Sequence, residues 1–337
     1  MSSKQRIVND PVYGFITIKS PLVFEIIDHP YFQRLRRIKQ LGLTYLVFPS
    51  ALHTRFQHAL GAVHLMQESL DVLISKGVEI SSDEYEAACL AILLHDIGHG
   101  PFSHALERSI VENVDHENLS LVIMEHLNKE FEGRLSLTIK IYTRKYERAF
   151  FHQLISSQLD VDRLDYLNRD SFFTSVAEGV IGVDRIIKMM CVKNDQIVFE
   201  KKGIYSIENF LIARRSMYWQ VYLHKTVLVA EHILLKILLR AKEVYRGGAD
   251  LFLTTPLRYF FENEIDLSRI LKDVKVLEYF MSLDDHDVIT CIKEWMSHQD
   301  PALAFLCRSI ISRELLRIEI SDHPIAEKYV QKVRTTF

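Results

Sequence analysis

The sequence predicts an all-α fold with minor β-hairpin elements, and three observations support that prediction. Apolar residues recur every three or four positions along most of the 337 residues, which is the period of an amphipathic helix. Alternation typical of strands is confined to two short segments. Internal repeats, low-complexity tracts and linkers rich in Pro, Gly or Ser are missing from the sequence. We therefore expect one large helical domain that carries a smaller helical lobe.

The N-terminal half is expected to be a succession of helices after a short arm. The arm contains a strand over 15–18, because these residues alternate in polarity and Pro21 follows them. A second strand and turn are predicted over 195–203. Helices are predicted over 22–40, 54–75, 83–97, 103–110, 116–129, 147–167 and 183–190.

The rest of the chain is predicted to be helical as well. A long helix covers 206–245 and is closed by Gly247-Gly248. Helical periodicity returns over 266–317, with interruptions near Asp284 and at Asp300-Pro301. We place the domain boundary at residue 250, so that residues 1–250 form the main domain with its N-terminal arm and residues 251–337 form the C-terminal helical lobe.

The composition gives no indication of a nucleic acid or a membrane as a partner. The chain has 41 basic and 44 acidic residues and a formal charge of −3, so it has no overall attraction for nucleic acid or anionic membranes. The sequence shows no signal-peptide pattern and no apolar run long enough to span a bilayer. Its four cysteines are scattered and form no CxxC pair, which is typical of reduced thiols. We expect a cytoplasmic protein with no membrane partner.

The segment His95-Asp96-Ile97-Gly98-His99-Gly100-Pro101-Phe102-Ser103-His104 is the most informative part of the sequence. The apolar run over 87–94 predicts a buried helix that ends here, where Gly98 and Gly100 supply a turn. A histidine and an aspartate side by side can both reach a metal at such a helix end. The alternative is an ordinary helix C-terminus at which His95 caps the last carbonyls.

Two further segments supply ligands that complement this motif. Arg55 and His58 are three residues apart and so share a face of a predicted helix. Asp162 shares a helix face with Leu159 and Tyr166, so we expect it to point inward, where a carboxylate needs a cation. A salt bridge from Asp162 to an arginine is the alternative. A mixed nitrogen and oxygen set suits a divalent first-row metal, and the candidate ligands are His58, His95, Asp96 and Asp162.

With these motifs the chain resembles the HD-domain metal-dependent phosphohydrolases. More narrowly, it resembles the deoxynucleoside triphosphate (dNTP) triphosphohydrolases of the bacterial dGTPase and animal SAM-and-HD-domain type. The matching segments are Asn9–Gly14, Phe32–Gly42, Phe48–Ala51, Arg55–Gly61, His95–His104, Asp160–Asp170, Tyr222–Lys225, Leu283–Asp287 and Arg313–Leu316. The resemblance implies an HD-domain helical phosphohydrolase fold, with residues 1–250 as the HD catalytic domain. It also implies metal-dependent cleavage of a dNTP to a deoxynucleoside and triphosphate. Among metals we favour Mn or Fe, with Mg, Ni, Co and Zn left open.

The resemblance also implies roles for individual residues. A catalytic relay consists of His104, Glu107 and His116, with His104 as the general acid at the leaving oxygen. A surface ion pair of Glu107 with Arg108 or Arg134 is the alternative for that carboxylate. Substrate contacts are implied for Gln40, Arg55, His99, Arg163, Tyr166, Asp170, Arg214, Tyr218 and Tyr222.

One group of these residues has a second interpretation. Arg214, Tyr218, Tyr222 and Lys225 follow one another at helical spacing and would form one continuous stripe along the long predicted helix. Such a stripe lines a nucleotide groove if it faces the metal. The alternative is an ordinary packed helix face, in which the arginine extends its charge to solvent.

A regulatory site is implied near the N-terminus. Arg6, Asp28, Gln33 and Arg36 match positions at which animal members of the family hold an activating nucleotide between subunits. The alternative is that Asp28 caps a helix or pairs with Arg34. A homo-oligomer, dimer or tetramer, is expected. The alternative functions are a phosphomonoesterase or phosphodiesterase acting on another nucleotide, and a nucleotide-sensing or nucleic-acid-associated protein with weak turnover.

Overall fold

Helices dominate the computed structural model, which describes residues 6–102, 115–321 and 323–336. Within these ranges the strands form two separate antiparallel hairpins. The predicted fold class, all-α with minor β-hairpin elements, is confirmed. No helix in the described ranges is both long enough and apolar enough to cross a lipid bilayer.

The N-terminal arm is a hairpin followed by short helical segments. Strands β1 (Arg6–Asp10) and β2 (Gly14–Ile18) pair with Arg6 opposite Ile18, so the predicted strand is present and has a partner that the sequence did not reveal. Helices α1 (Pro21–Asp28) and α2 (Pro30–Gln33) follow, and then 3₁₀ turns over Arg34–Arg37 and Gly42–Leu46.

The single helix predicted over 22–40 was wrong. His29 lies between α1 and α2 with φ −66° and ψ 138°, which is extended backbone. The ring of Pro30 disfavours a helical conformation at the preceding residue, so the chain turns at this point.

The core of the molecule is built on α3 (Arg55–Ser75), which packs against α4 (Ser82–Leu94) and α8 (Val161–Thr174). The last eight residues of α4, 87–94, are all buried, as the apolar run predicts. Ser81 and Glu84 form a capping box that begins α4: the Glu84 N–H donates to Ser81 Oγ, and Glu84 Oε2 accepts from the Ser81 N–H. The helix predicted over 54–75 is thus confirmed, and the helix predicted over 83–97 is present but ends earlier, at Leu94.

In the described part of the chain, three further helices lie between α4 and α8: α5 (His116–Glu130), α6 (Ser136–Tyr142) and α7 (Ala149–Ile155). Helix α5 confirms the prediction for 116–129, whereas α6 was not predicted. The helix predicted over 103–110 lies outside the described residues.

The single helix predicted over 147–167 was wrong, because the chain leaves the helical path after Ile155. The Asp160 carboxylate accepts from the backbone N–H groups of Ser157 and Arg163, at 2.7 and 2.8 Å. It thereby caps the N-terminus of α8 and starts a separate helix.

The second hairpin follows α9 (Val183–Met189) and consists of β3 (Met190–Lys193) and β4 (Gln196–Phe199). The predicted helix over 183–190 and the predicted strand are both present, while β3 was not predicted as a strand. A 3₁₀ turn, Lys201–Gly203, leads into α10.

The long helix predicted over 206–245 was wrong as one element. It consists of α10 (Ile204–Met217), a π-helical turn over Tyr218–Tyr222, and α11 (Lys225–Arg246). His224 has φ −59° and ψ 127°, outside the helical region, and it caps the N-terminus of α11: its Nδ1 accepts from the Thr226 N–H at 3.2 Å. The wider π turn shifts the helical phase, so the stripe predicted from Arg214 to Lys225 is not continuous.

The C-terminal part is helical with the expected interruptions before α15 (Asp285–Trp295) and α16 (Pro301–Ile311), each of which an aspartate caps. The preceding helices are α12 (Thr255–Glu262), α13 (Leu267–Lys272) and α14 (Val274–Ser282), and α17 (Glu327–Thr336) comes last. Helices α12 and α17 were not predicted, and the pattern predicted up to 317 ends at Ile311. The domain boundary at residue 250 remains a prediction.

One buried arginine connects three distant parts of the chain. Arg34 is completely buried, and its Nε donates to the carbonyl oxygen of Leu283 at 2.8 Å. Its Nη2 donates to the carbonyl oxygen of His99 at 2.9 Å, and its Nη1 lies 3.5 Å from that of Ile97. The N-terminal arm, the His95–His99 turn and the C-terminal helices are therefore fixed to one another.

Candidate metal centre and adjoining cavities

Three histidine and aspartate side chains converge where α3, α4 and α8 meet. Asp162 Oδ1 lies 3.1 Å from His58 Nε2 and 3.3 Å from His95 Nε2. One potential ligand atom from each of these three residues lies within 4.8 Å of the others. His58 comes from the first turn of α3, His95 follows the last residue of α4, and Asp162 lies in the first turn of α8. We call these three residues the metal cluster.

Asp96, the fourth candidate ligand, adjoins the metal cluster. Its Oδ1 lies 3.4 Å from His95 Nε2 and its Oδ2 lies 4.0 Å from His58 Nε2. The same carboxylate accepts from Arg55 Nη1 and lies 3.3 Å from His99 Nε2. The structure thus brings all four candidate ligands together, with Asp96 shared between the cluster and a neighbouring cation.

The turn that carries His95 and Asp96 depends on a close approach by α5. The Ser120 hydroxyl of α5 donates to the carbonyl oxygen of His95 at 2.8 Å and accepts from the Gly98 N–H at 3.0 Å. A Cβ on Gly98 would lie 2.3 Å from the carbonyl oxygen of His116. Gly98 is therefore required because α5 packs so closely against the turn that the sequence predicted.

The cluster fits a divalent cation. The Nε2 atoms of His58 and His95 are buried and have no hydrogen-bond partner among the described residues. Such nitrogens are costly to bury, and their lone pairs are what a metal binds. The Nδ1 atoms are engaged instead, by Asp165 Oδ2 at 2.7 Å from His58 and by the Ile92 carbonyl oxygen at 2.6 Å from His95. These contacts direct both Nε2 atoms into the cluster.

The electrostatics of the cluster also favour a cation. Burial lowers the pKa of His58, but the nearby carboxylates of Asp162 and Asp165 outweigh this effect and raise that pKa to about 10. Burial raises the pKa of Asp162, but His58 and His95 outweigh it and hold that pKa below its usual range. The carboxylates therefore remain ionised, and their negative charge can be balanced either by protons on the histidines or by a bound metal.

Two of the predicted catalytic and substrate residues lie beside the cluster. The rings of His99 and His116 are stacked, with centroids 3.9 Å apart. Burial and the nearby Arg55 guanidinium lower the pKa of His99 to about 3, so its ring is neutral near pH 7. His104 and Glu107 lie outside the described residues, and their roles stay predictions.

A cavity of about 450 Å³, the first cavity, opens beside Arg55. Six of the nine predicted substrate residues line it: Gln40, Arg55, Tyr166, Asp170, Tyr218 and Tyr222. Leu43, Val227 and Leu234 supply apolar wall. Arg214 does not line this cavity, and its guanidinium carbon lies 5.9 Å from the centre of the Tyr218 ring.

Asp170 is held in place at the wall of the first cavity. Its Oδ2 accepts from the Tyr222 hydroxyl at 2.7 Å, and its Oδ1 lies 2.7 Å from His53 Nε2. Burial, and then the Asp170 charge, raise the pKa of Tyr222 well above its usual value, so the phenol keeps its proton. His53 is buried and stacks on Phe173 with centroids 4.5 Å apart. Sequence reasoning missed His53, because no spacing signal connects it with Asp170.

A second cavity of about 440 Å³ opens directly onto the cluster. His95, Asp96 and Asp162 line it, together with Arg163, the remaining predicted substrate residue with a cavity position. Arg163 donates to the carbonyl oxygen of Ser157 at 2.8 Å and also approaches the Tyr166 hydroxyl at 3.4 Å. The metal cluster therefore borders the second cavity, and Arg55, which donates to Asp96, connects the cluster to the first cavity.

The four residues predicted to hold a second nucleotide lie around the C-terminal end of α1. Arg6 Nη1 donates to Asp28 Oδ2 at 3.1 Å, and Gln33 Nε2 donates to the carbonyl oxygen of Ile27 at 2.7 Å. Arg36 Nε donates to Gln33 Oε1 at 2.8 Å. Asp28 thus pairs with Arg6, not with the buried Arg34.

Comparison with known proteins identifies relatives of this arrangement. The HD domain model matches residues 55–170, and the HD associated region model matches residues 181–248. A phosphohydrolase of Bacteroides thetaiotaomicron has a crystal structure with a TM-score of 0.97 and 52% identity, covering 99% of this chain and 83% of that one.

Curated relatives include uncharacterised and named proteins. The uncharacterised protein YwfO of Bacillus subtilis is 36% identical over 94% of this chain and 72% of its own length. The deoxynucleoside triphosphate triphosphohydrolase SAMHD1 homolog of Dictyostelium discoideum is 34% identical over 65% of this chain, and human SAMHD1 is 29% identical over 71% of it. The chain spans 46% of the Dictyostelium protein and 45% of the human one.

Proposed function

The chain belongs to the HD-domain phosphohydrolase family that includes SAMHD1-type dNTP triphosphohydrolases, and on that premise we propose that it cleaves a dNTP to a deoxynucleoside and triphosphate. One observation carries the proposal: His95, Asp96 and Asp162 line the second cavity, while Arg55 connects Asp96 to the first cavity, which Gln40, Asp170 and Tyr222 line. The volume of about 450 Å³ suits a small-molecule ligand. SAMHD1-type activity of the relatives supports the choice of substrate.

His58, His95 and Asp162 would hold a divalent cation, with Asp96 beside them. When bound, such a cation supplies Lewis-acid activation of a phosphoryl group and of water. Mn or Fe fits the mixed nitrogen and oxygen donors best, while Mg, Ni, Co and Zn are further candidates.

Two arginines near the cluster neutralise the phosphate chain in this proposal. Arg55 lines the first cavity and Arg163 lines the second. A planar guanidinium can donate two parallel hydrogen bonds to one phosphate, which fixes its orientation as well as its charge. Arg214 does not line the first cavity, but its guanidinium lies against the Tyr218 ring and contributes positive charge from a greater distance.

The sugar lies in the first cavity in this proposal. The carboxylate of Asp170 and the amide of Gln40 can hydrogen bond to a 3′-hydroxyl, and the Tyr222 ring occupies the space beside C2′. A ribose hydroxyl at C2′ would collide with that ring, which favours deoxyribose. The ring centroids of Tyr166 and Tyr218 lie 6.3 and 5.2 Å from that of Tyr222, and both rings pack edge-on against it.

The leaving 5′-oxygen needs a proton as the bond to the α-phosphorus breaks. His104 supplies it in this proposal, held by Glu107 or His116. His99, which is neutral, contributes a stacked ring against His116 rather than a charge.

The experiment that tests the function is a product analysis. The metal-loaded protein is incubated with each dNTP, and the products are separated by chromatography. A deoxynucleoside and triphosphate are expected, and the Asp162→Ala variant serves as the inactive control. Release of a monophosphate or of inorganic phosphate would instead indicate a phosphodiesterase or phosphomonoesterase. Binding without any product under all six metals would favour a nucleotide sensor or a nucleic-acid-associated protein.

Regulation by a second nucleotide in a homo-oligomer, dimer or tetramer, is the second part of the proposal. The guanidinium carbons of Arg6 and Arg36 lie 3.2 and 3.6 Å from the ring centres of Phe24 and Phe56. Each guanidinium is therefore held in place against an aromatic ring. With Asp28 and Gln33 they offer cations for phosphates and acceptors for a guanine edge. Activity on one dNTP is measured with and without GTP or dGTP, together with the mass in solution. A monomer whose rate ignores every added nucleotide would disprove this part alone.

A further inference from the structure

A buried series of charged side chains runs from the metal cluster to the N-terminal hairpin. His58 Nδ1 lies 2.7 Å from Asp165 Oδ2. Arg169 donates to both oxygens of Asp165, at 2.9 and 3.0 Å, and its Nη1 donates to Asp10 Oδ2 at 2.8 Å. The side chains of His58, Asp165 and Arg169 are completely buried, and that of Asp10 is 4% exposed. We call these four residues the buried relay.

The far end of the relay is fixed by the backbone of the hairpin. Asp10 is the last residue of β1, and its Oδ1 accepts from the N–H groups of Val12 and Tyr13 at 2.9 and 3.0 Å. Both Asp10 oxygens are therefore occupied, one by the hairpin turn and the other by Arg169. Any displacement of the hairpin turn would move the partner of Arg169.

The fold makes room for this relay at Gly61, three residues after His58 on α3. A Cβ at Gly61 would lie 2.0 Å from Asp165 Oδ1 and 2.1 Å from Arg169 Nη2. The relay therefore occupies the space that any larger residue on this face of α3 would need. Buried charges are costly unless they are paired in good geometry, so the retention of three of them beside His58 calls for a role.

We propose that Asp165, Arg169 and Asp10 are positioning residues for the metal, which set the affinity of the cluster through the His58 ring. Asp165 holds the proton-bearing Nδ1 side of His58, so that Nε2 is directed at the cation. Arg169 fixes the orientation of Asp165 with two hydrogen bonds, and Asp10 fixes Arg169. This inference rests on the metal dependence in the proposed function, but not on the identity of the substrate.

The proposal makes the N-terminal hairpin part of the metal site, although none of its residues touches the cluster. Arg6 lies at the other end of β1 and donates to Asp28 on α1, so this ion pair joins the same hairpin to its neighbouring helix. A displacement of the hairpin would therefore reach His58 through Arg169 and Asp165.

The test is a titration of metal-stripped full-length protein with Mn²⁺ by isothermal calorimetry. Asp165→Asn is expected to bind Mn²⁺ about 10- to 100-fold more weakly, which is the usual effect of removing a carboxylate behind a ligating histidine. Arg169→Lys keeps the charge but loses the paired hydrogen bonds, so a smaller loss is expected. Asp10→Asn is expected to lower the affinity as well, but least of the three.

Glu84→Gln is the matched control, because Glu84 is also a buried carboxylate that accepts from an arginine, Arg148. It lies at the opposite end of α4 from His95 and should bind Mn²⁺ like the parent, even though it is less stable. If Asp165→Asn does not fold, Arg169→Lys and Asp10→Asn carry the test.

Two results would overturn the inference. Parent-like Mn²⁺ affinity in folded Asp165→Asn, or in both other variants, would show that the relay has only a structural role. An affinity loss in Glu84→Gln equal to theirs would show that general destabilisation is the cause. The products of dNTP cleavage are analysed separately, so an unexpected product would refute the proposed function and leave the order of metal affinities as evidence on the relay.

Discussion

His58 and His95 each engage Nδ1 within the protein and leave Nε2 facing Asp162. This arrangement depends on single contacts, because each ring is oriented by one acceptor. A metal bound here loses a ligand whenever one of the three cluster residues is removed.

His95→Ala and Asp162→Ala should each lose bound metal and nearly all turnover, since either change removes a ligand from the cluster. Metal content is measured by mass spectrometry and turnover by product release. His232→Ala, which replaces an exposed histidine on α11, should retain both. Full metal content in either cluster variant would remove that residue from the site.

His104→Ala should reduce turnover far more than it reduces metal content or substrate binding. The reason is that His104 acts only when the leaving oxygen takes up a proton, and general acid catalysis contributes about 10²- to 10⁴-fold. Turnover, metal content and dNTP affinity are measured on the same preparation. A variant with near-normal turnover would mean that another group protonates the leaving oxygen.

At the scale of elements, the ends of helices were harder to predict than their existence. The break at Pro30 could have been predicted, since a proline restricts the residue before it. The π turn at Tyr218–Tyr222 could not, because neither Gly nor Pro marks it. Its Tyr222 hydroxyl is tied to Asp170 on another helix, so a long-range contact accompanies the change in helical phase.

The start of α4 should make folding stability sensitive to acid. Burial raises the pKa of Glu84, but hydrogen bonds from Ser81, Tyr146 and Arg148 outweigh it and lower that pKa to about 2, from 4.5. Because the folded-state pKa is the lower one, Glu84 stabilises the protein above pH 4.5 and this contribution disappears as the pH falls toward 2. It is worth on the order of 3 kcal/mol.

Glu84→Gln should therefore lower the free energy of unfolding near pH 7 and shrink the difference from the parent between pH 4.5 and 2. Urea unfolding at several pH values measures this difference. A difference that stays constant over the whole range would show that the ionised carboxylate is not the stabilising group.

Gly61→Ala should destabilise the protein by about 1–3 kcal/mol, because the added methyl group has no room beside Asp165 and Arg169. Gly182→Ala is the control, since nothing lies within 4 Å of a Cβ placed there. Urea unfolding of both variants at one pH provides the comparison. Equal stability of the two would mean that α3 and α8 can move apart without cost.

At the scale of the whole molecule, the sequence predicted which segments meet but not how they support one another. His58, His95, Asp96 and Asp162 could be grouped because the three segments together supply both imidazole and carboxylate ligands. Asp165 could not be paired with His58, since a spacing of three from Asp162 does not say which histidine it meets. The relay partner Asp10 lies 159 residues from Arg169, beyond any local pattern.

Arg34 has a consequence for how the sequence can change over time. It binds the carbonyl oxygens of Leu283 and His99, so the contacts do not depend on which side chains those two residues carry. Core packing restricts the side chain at position 283, but a substitution there does not by itself remove the contact with Arg34 as long as the backbone path is kept. Arg34 itself has no such freedom, because a shorter or uncharged side chain would leave acceptors from two distant segments without their shared donor. The junction thus depends on one side chain, Arg34, and otherwise on the path of the backbone.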